Sequence, residues 1–306
     1  MKKQLFFILS LMAVFYSCKK ESLPAGQNAP DGSMSVMSAN QAVSGPYKVA
    51  YYAFDNGGPR LIDFAREANV VVLFEAHEWR FVDSAKYTGH DFIFDNKNYK
   101  TYGSIMADVR ILQRRGVKVL MNEDDNSGWS SNTPFTDYSG KKFNNTEFIS
   151  MAKSYILDSL KLDGIALDIE HGAKNNAQYK ALLTGLGQYF GPLSKNPNTL
   201  YIAAIYSGAP EGGAIGKDLN VAKYVNFVED MGYFQDNTSR FNQWANVIGA
   251  GKTMIGVSAE SNFKNLTKDV AAAKWQPVNG KKAGIMVYAA NLDSTYTNTV
   301  FRALAQ

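Results

Sequence analysis

Two carboxylates, Asp168 and Glu170, stand two residues apart in an otherwise apolar stretch of the sequence. Ile165 and Leu167 alternate with Ala166 just before them. Because successive side chains of a β-strand point to opposite faces, both acids would share a face with Ala166, with their Cα atoms ~7 Å apart. A lone buried carboxylate is very costly, so this face needs water, a partner or a substrate. The pattern predicts an active site that uses carboxylates, at the C-terminal end of a buried strand.

The stretches that would position this site alternate between strand and helix patterns from residue 47 onwards. Eight apolar strands, each followed by a helix, occupy about 260 residues, which is the usual size of a TIM barrel. We therefore predict an α/β fold, a (β/α)8 TIM barrel, that forms a single domain over residues 46–306. A doubly wound open sheet is the alternative, and it is disfavoured because no Gly-rich phosphate-binding turn follows the first strand. The predicted strands are residues 47–54, 69–74, 117–122, 162–171, 199–206, 224–232, 253–258 and 283–289.

The longest loops of this arrangement follow the second and third strands, at roughly residues 75–98 and 123–145, on the face where barrel enzymes bind substrate. Both loops carry aromatic side chains, including Trp129. Aromatic rings suit a sugar-binding cleft, although any one of them is more often a contact that holds its loop to the barrel. A helix is predicted over residues 146–160, with Thr146 as its N-cap. A second, short helix is predicted over residues 217–223.

The composition is that of a globular protein, with 45% hydrophobic and 20% charged residues. The net charge is only +4 and no long basic run is present, so nucleic acid is a poor candidate for a partner.

The N-terminus has the features of a secretory signal peptide over residues 1–17: two lysines, an apolar core and a small residue, Ser17, before Cys18. A cysteine at that place resembles a bacterial lipobox, which predicts lipidation of Cys18, although a plain secretion signal remains the alternative. Residues 18–45 are rich in Ser, Gly, Pro and Ala and are predicted to be a flexible linker. We expect a lipid-anchored protein of the bacterial cell envelope, held by an outer-membrane lipid anchor on the periplasmic or outer side.

The run from Asp163 to Glu170, Asp-Gly-Ile-Ala-Leu-Asp-Ile-Glu, resembles the DGxDxDxE strand of glycoside hydrolase family 18. That family contains chitinases and endo-β-N-acetylglucosaminidases, and its motif lies on the fourth strand of a TIM barrel, where the alternation above also places it. The pair Glu170-His171 is more similar to the bacterial F/H-type endo-β-N-acetylglucosaminidases that cut N-glycans. Met231-Gly232-Tyr233 is similar to the family's Met-x-Tyr.

This resemblance implies a retaining reaction without a carboxylate nucleophile, in which the sugar's own 2-acetamido oxygen attacks the anomeric carbon. Glu170 would protonate the leaving oxygen, with a pKa raised by partial burial near another carboxylate. Asp168 would hold the acetamido N–H, and Tyr233 would donate to the acetamido oxygen. The predicted substrate is the N,N'-diacetylchitobiose core of N-glycans, cut at its β-1,4 bond, or another N-acetylglucosamine-containing glycan.

Other candidate residues are expected to contact the sugar from strand ends and loops. Asp163, at the start of the motif, is predicted to be structural. The three histidines lack metal-ligand spacing, and we predict neither a metal nor a cofactor. The candidates for substrate binding are Asn122, Glu123, Trp129, Tyr206, Met231, Gln235, Tyr288 and Asn291.

One position departs from the family motif, since Ala166 replaces its middle Asp. Either another group replaces that Asp in a working enzyme, or the barrel is a weakened hydrolase that binds glycans. Retention of both acids favours the enzyme, and a chitinase is a third option. One of the pair Glu229 and Asp230 is a candidate for the replacement, and parity places Glu229 on the face of Met231 and Tyr233.

Overall fold

Eight parallel strands close into a barrel in the computed structural model, which confirms the predicted (β/α)8 architecture. The structure describes residues 45–76, 78–82, 97–99, 101–125, 129, 131–137, 140–170, 177–196, 198–207 and 223–304. The predictions for the signal peptide, Cys18 and the linker up to residue 44 lie outside these residues and stay predictions. Within them, no helix combines the length and the apolar character that crossing a membrane would require.

The barrel strands follow one another in space as β1-β10-β9-β8-β7-β6-β3-β2 and then close, so that β6 is the fourth barrel strand along the chain. The two short strands β4 and β5 form a separate antiparallel pair inside the long loop that follows β3. The ten strands are β1 (Tyr47–Ala53), β2 (Val70–Phe74), β3 (Lys118–Asp124), β4 (Phe135–Thr136), β5 (Lys142–Phe143), β6 (Gly164–Ile169), β7 (Leu200–Ile205), β8 (Phe227–Asp230), β9 (Thr253–Ser258) and β10 (Gly284–Tyr288).

Helices surround the barrel and cover its outer face. The α-helices are α1 (Leu61–Phe64), α2 (Glu78–Val82), α3 (Tyr102–Arg114), α4 (Asn145–Ala152), α5 (Ala177–Leu186), α6 (Asn237–Ile248), α7 (Leu266–Lys274) and α8 (Ser294–Leu304). A π-helical turn, Lys153–Ser159, continues α4, and two short 3₁₀ turns lie at Ala250–Lys252 and Ala290–Leu292.

The start of α4 differs from the prediction that Thr146 is its N-cap. The N-cap is Asn144, whose side chain accepts the backbone N–H of Glu147, while the Glu147 side chain accepts the N–H of Asn144. This reciprocal capping box satisfies two backbone donors, which a single Thr cap could not do. Of the short helix predicted over 217–223, residues 217–222 lie outside the described part of the chain.

The alternation of β6 is the one that its sequence predicts. Ile165, Leu167 and Ile169 belong to the outer core between the barrel and its helices. Ala166 belongs to the inner core, which fills the barrel interior together with aliphatic and aromatic residues of the other strands. Asp168 is paired in register with Asp124 of β3 on one side and with Ala204 of β7 on the other.

The first two residues of the motif fix the N-terminal end of β6. The Asp163 carboxylate accepts hydrogen bonds from Gln113 Nε2 at 2.9 Å, from Lys118 Nζ at 3.2 Å and from the Val119 backbone N–H at 3.0 Å. Gly164 has a φ of +149°, and a Cβ atom there would lie 1.9 Å from the Leu200 carbonyl oxygen. Close approach of β7 therefore requires glycine at this position.

Replacement of Asp163 by Ala is expected to lower the free energy of unfolding by about 3 kcal/mol, because it removes a largely buried carboxylate that pairs with Lys118 and accepts the Val119 N–H. Urea unfolding measures this loss. The matched control is Asp158→Ala in the exposed Lys153–Asp158 pair, which should cost less than about 1 kcal/mol. Equal losses in the two variants would contradict a structural role for the Asp163 pair.

Candidate active site

A cavity of about 220 Å³ opens at the C-terminal ends of β2, β3 and β6. Nearly all of its lining is acidic, and it contains both acids of the β6 motif. Its walls are Phe74, Glu75, Asp124, Asp125, Asp168 and Glu170.

The two motif acids differ sharply in exposure. Asp168 is only 8% exposed, whereas Glu170, just beyond the strand end, is exposed rather than partly buried as predicted. Burial raises the pKa of Asp168 well above its usual range, and the nearby carboxyl groups of Asp124, Glu170, Asp125 and Glu229 raise it further. A buried acid and a solvent-facing acid therefore stand two residues apart at one end of the barrel.

Asp125 fixes the backbone that carries both acids. Its backbone N–H donates to the Asp168 carbonyl at 2.8 Å, and its Oδ1 accepts the Glu170 backbone N–H at 2.8 Å. These two bonds extend the pairing of β3 and β6 past the strand ends and set the direction in which Glu170 leaves the barrel. Sequence reasoning missed this role, although the run Glu123-Asp124-Asp125 at the end of β3 was the signal that marked it.

Tyr233 lies close to both motif acids. Its pKa is raised first by burial and then by the negative charges of Asp168 and Glu170. Its ring stacks parallel to that of Tyr288 at the end of β10, with the centroids 6.0 Å apart and an interplanar angle of 8°. Phe74 packs edge-on against Tyr288 at 5.3 Å, so aromatic rings line the mouth from β2 to β8.

Three exposed aromatic rings continue this line outside the cavity. Tyr206, Phe234 and Phe263, here called the aromatic ledge, are 48%, 37% and 38% exposed. The Phe234 centroid lies 5.3 Å from that of Tyr206 and 6.4 Å from that of Phe263, which in turn lies 5.6 Å from that of Tyr233. Of these three residues only Tyr206 was predicted, because the loops that bring the two phenylalanines to the mouth show no pattern in sequence.

Glu229 and Asp230 point in opposite directions, so of the two only Glu229 shares the barrel interior with Asp168. Glu229 faces the barrel interior, where Tyr51 Oη donates to its Oε2 at 2.5 Å, and burial raises the pKa of Glu229 to about 8. Asp230 faces outward and forms a buried ion pair with Arg240, Nη2 to Oδ1 at 2.6 Å. Arg240 also donates to the Tyr206 carbonyl at 2.8 Å and so holds the base of the aromatic ledge.

Gly232 is required by the same ion pair. A Cβ atom at this position would lie 2.5 Å from Asp230 Oδ2 and 2.7 Å from Arg240 Nε. The central residue of the Met-Gly-Tyr run is therefore small because the Asp230–Arg240 pair occupies the adjacent space.

Glu75 is a cavity residue that sequence reasoning did not find. Its φ of +62° places it in the left-handed region, which is costly for a residue with a Cβ atom. Burial raises the pKa of Glu75 to about 7, and the charge of Asp55 and a hydrogen bond with it act in the same direction. Strained backbone directly after a strand is a property of the folded barrel and leaves no sequence signal.

Three of the predicted sugar contacts are corrected by the structure. Trp129 is 1% exposed and packs against Phe148 and Tyr179, so it holds its loop to the barrel and offers no ring face to a ligand. Glu123 points outward from β3 and lies buried beside Glu78, where burial and the charge of Glu78 raise its pKa well above the usual range.

The third correction is Asn291, which is fully buried. Its side chain accepts the Ala53 N–H at 2.9 Å and donates to the carbonyls of Ala53 at 2.9 Å and Gly57 at 2.8 Å. These bonds occupy the side chain in closing the turn after β1, so it has no group left for a sugar.

The remaining candidates lie at or near the mouth. Asn122 is buried beneath Asp124 and donates to its carboxylate, and Met231 is buried in the inner core. Gln235 is exposed beyond Tyr233, and His171 lies outside the described residues. Across the described part of the chain, no three His, Cys, Asp or Glu side chains converge in a group that could hold a metal ion.

One family of known proteins matches this chain over nearly its whole length. The model of the family "Glycosyl hydrolases family 18" matches residues 14–303, which is nearly the whole chain. The chain belongs to glycosyl hydrolase family 18. Membership of this family and the barrel fold support glycosidase activity.

Several solved structures share the fold of this chain at low sequence identity. An endo-β-N-acetylglucosaminidase mutant from Cordyceps militaris, in complex with fucosyl-N-acetylglucosamine-Asn, matches with a TM-score of 0.59 and 18% identity, over 86% of this chain and 92% of that one. The group IV chitinase of Ostrinia furnacalis matches with a TM-score of 0.58 and 12% identity, over 85% and 100%. A chitinase catalytic domain from the fern Peteris ryukyuensis matches with a TM-score of 0.53 and 15% identity, over 85% and 100%.

Replacement of Trp129 by Ala is expected to lower the free energy of unfolding by about 3–5 kcal/mol, because it removes a large buried ring from contact with two others. Val278→Ala, at a fully exposed residue, is the control and should change stability by less than about 0.5 kcal/mol. Urea unfolding separates the two. Unchanged stability of Trp129→Ala would contradict its place in the core.

Proposed function

We propose that this glycosidase is an endo-β-N-acetylglucosaminidase that hydrolyses the β-1,4 bond in the N,N'-diacetylchitobiose core of N-glycans. The observation that carries the proposal is the placement of buried Asp168, exposed Glu170 and the Tyr233 hydroxyl around one mouth of a family 18 barrel. Tyr288 at the end of β10, where chitinases carry Trp, and the pair Glu170-His171 favour the endo-acting enzyme over a chitinase.

In the proposed reaction, the exposed Glu170 reaches the glycosidic oxygen and gives it a proton as the bond to the anomeric carbon breaks. The carbonyl oxygen of the substrate's 2-acetamido group attacks that carbon and forms an oxazolinium ring. Water then attacks the anomeric carbon and opens the ring, while the Glu170 carboxylate removes a proton from that water and is thereby restored to its acid form. Two inversions at one carbon yield retention, and no carboxylate nucleophile is needed.

Asp168 and Tyr233 orient the acetamido group in this scheme. The Asp168 carboxylate accepts the acetamido N–H, and the Tyr233 hydroxyl donates to the acetamido oxygen until that oxygen attacks. The positive charge of the oxazolinium develops among Asp124, Asp125 and Asp168, where preformed negative charge stabilises it most. The acidic lining of the cavity thus has a catalytic purpose.

A second candidate, a glycan-binding protein with little or no hydrolysis, is favoured by one observation. Ala166 stands on the inner face of β6 beneath Asp168 and contributes only a methyl group. If no other group governs the protonation of Asp168, the barrel would bind glycans without turnover. The two candidates differ in one measurable property, which is cleavage.

Incubation with high-mannose and complex-type glycoproteins, followed by mass analysis, is expected to show proteins that retain one N-acetylglucosamine. Glu170→Gln should reduce the rate by about 10²–10⁴-fold, because the general acid is lost. Glu67→Gln, which changes a partly exposed carboxylate that pairs with Lys48, is the matched control and should cleave at the wild-type rate. Absence of cleavage by the wild type, or equal rates for Glu170→Gln and wild type, would rule out the enzyme.

Phe234→Ala and Phe263→Ala are expected to raise KM about 2- to 10-fold with little change in kcat, because stacking on an exposed ring contributes about 0.5–1.5 kcal/mol to binding. Steady-state kinetics on a defined glycopeptide measure both constants. Val278→Ala, a fully exposed residue away from the mouth, is the control. An unchanged KM in both Phe variants would mean that the aromatic ledge does not contact the glycan.

A further inference from the structure

Two buried carboxyl groups, those of Asp168 and Glu229, point into the barrel interior from β6 and β8. Asp168 of β6 is paired in register with Ala204 of β7, and Ala204 is paired with Glu229 of β8. Both acids therefore point into the barrel interior, Asp168 from β6 and Glu229 from β8, with Ala204 of β7 between them in register. Since Ala204 has only a methyl group, no side chain in that register separates them.

One oxygen of each acid has no partner in the part of the chain that the structure describes. Asp168 Oδ1 and Glu229 Oε1 are buried and make no hydrogen bond there, whereas Glu229 Oε2 accepts the Tyr51 hydroxyl. Tyr51 is itself fully buried and lies in the fields of both Glu229 and Asp168. A buried carboxyl oxygen without a hydrogen bond destabilises the folded protein. A hydrogen bond to each of these two oxygens would remove that cost.

The surroundings of the two acids determine which one carries a proton. Among the described residues, the groups that act on Asp168 include Asp124, Asp125, Glu170, Glu229 and Tyr233, and Tyr51 lies next to Glu229. Burial disfavours the charged form of both Asp168 and Glu229. Glu229 is fully enclosed and far from water, whereas Asp168 borders the open cavity. The proton therefore belongs on Glu229.

We propose that Glu229 is a positioning residue that keeps its proton at neutral pH and donates it, from Oε1, to Oδ1 of Asp168. Tyr51 occupies Oε2 as a donor, which leaves Oε1 to carry the hydrogen. A hydrogen bond to the charged form of Asp168 favours that form, so Glu229 keeps Asp168 a carboxylate although it is buried among other acids. The catalytic consequence rests on the proposed function, in which Asp168 must accept the acetamido N–H.

Two replacements of Glu229 should have different effects on the pKa of Asp168. Glu229→Gln keeps an acceptor for Tyr51 and offers an N–H to Asp168, so the pKa of Asp168 should stay near its wild-type value. Glu229→Leu removes the donor, and the pKa of Asp168 should rise by about one unit or more. If Glu229 were ionised instead, both replacements would remove a negative charge and would lower the pKa of Asp168.

Carbon-13 NMR of carboxyl-labelled protein tests this without any glycan, so failure here and failure of the proposed function are distinguishable. Signals are assigned by their loss in Asp168→Asn and Glu229→Gln. We expect Glu229 to titrate near its pKa of about 8 and the Asp168 signal to show a second inflection at the same pH in the wild type. The wild-type measurement stands even if Glu229→Leu does not fold.

A rise of the Asp168 pKa in Glu229→Leu with none in Glu229→Gln supports the proposal, and so does the second inflection. A lower Asp168 pKa in both variants, an unchanged pKa in Glu229→Leu, or the absence of a second inflection overturns it. With active enzyme, the acid limb of the kcat profile should move to higher pH in Glu229→Leu and stay in place in Glu229→Gln. A merely structural role would lower the melting temperature and leave that limb where it is.

Discussion

Burial of Asp168 at the mouth of a closed barrel is the constraint on which the rest of the site depends. The Asp168 carboxyl group is only 8% exposed, and the carboxyl groups of Asp124, Asp125 and Glu170 lie around it. Loss of water and the neighbouring acids both disfavour its ionised form. The same arrangement stabilises a cation formed in the cavity, which is what the oxazolinium of the proposed reaction is. The barrel thus holds in its resting state the electrostatic field that the transition state requires, and that field comes from rigid strand ends.

The barrel adapts to this constraint by distributing roles over neighbouring strands. Asp125, from the end of β3, fixes the backbone on both sides of the motif acids, and Tyr51 and Glu229 occupy the interior beside Asp168. In the arrangement that we propose, the inward-facing Glu229 of β8 takes over the role of an acid at position 166. The effect of Ala166 in the β6 motif therefore has to be judged together with the interior residues of neighbouring strands, such as Glu229 of β8.

Much of the fold was predictable, because the spacing of apolar residues shows where strands and helices lie. In β6, the two-residue period of a strand also shows which side chains face the barrel interior. The side chains that the sequence misassigned are those whose surroundings come from distant parts of the chain. Trp129 is buried by α4 and α5 contacts, Glu123 shares an outer layer with Glu78, and Asn291 closes the turn after β1, more than two hundred residues away. For the same reason Glu75 and the two phenylalanines of the aromatic ledge could not be predicted, since only loop geometry brings them to the mouth.

The central claim is that this barrel hydrolyses glycans through the substrate's own acetamido group. Proton NMR of the reaction on a chitobiose-core glycopeptide, recorded before the product mutarotates, tests this claim most directly. The account predicts that the newly formed reducing N-acetylglucosamine is released as the β-anomer, and that a substrate lacking the 2-acetamido group at the cleaved sugar is not hydrolysed. Release of the α-anomer, or hydrolysis of the substrate without the acetamido group, would contradict it.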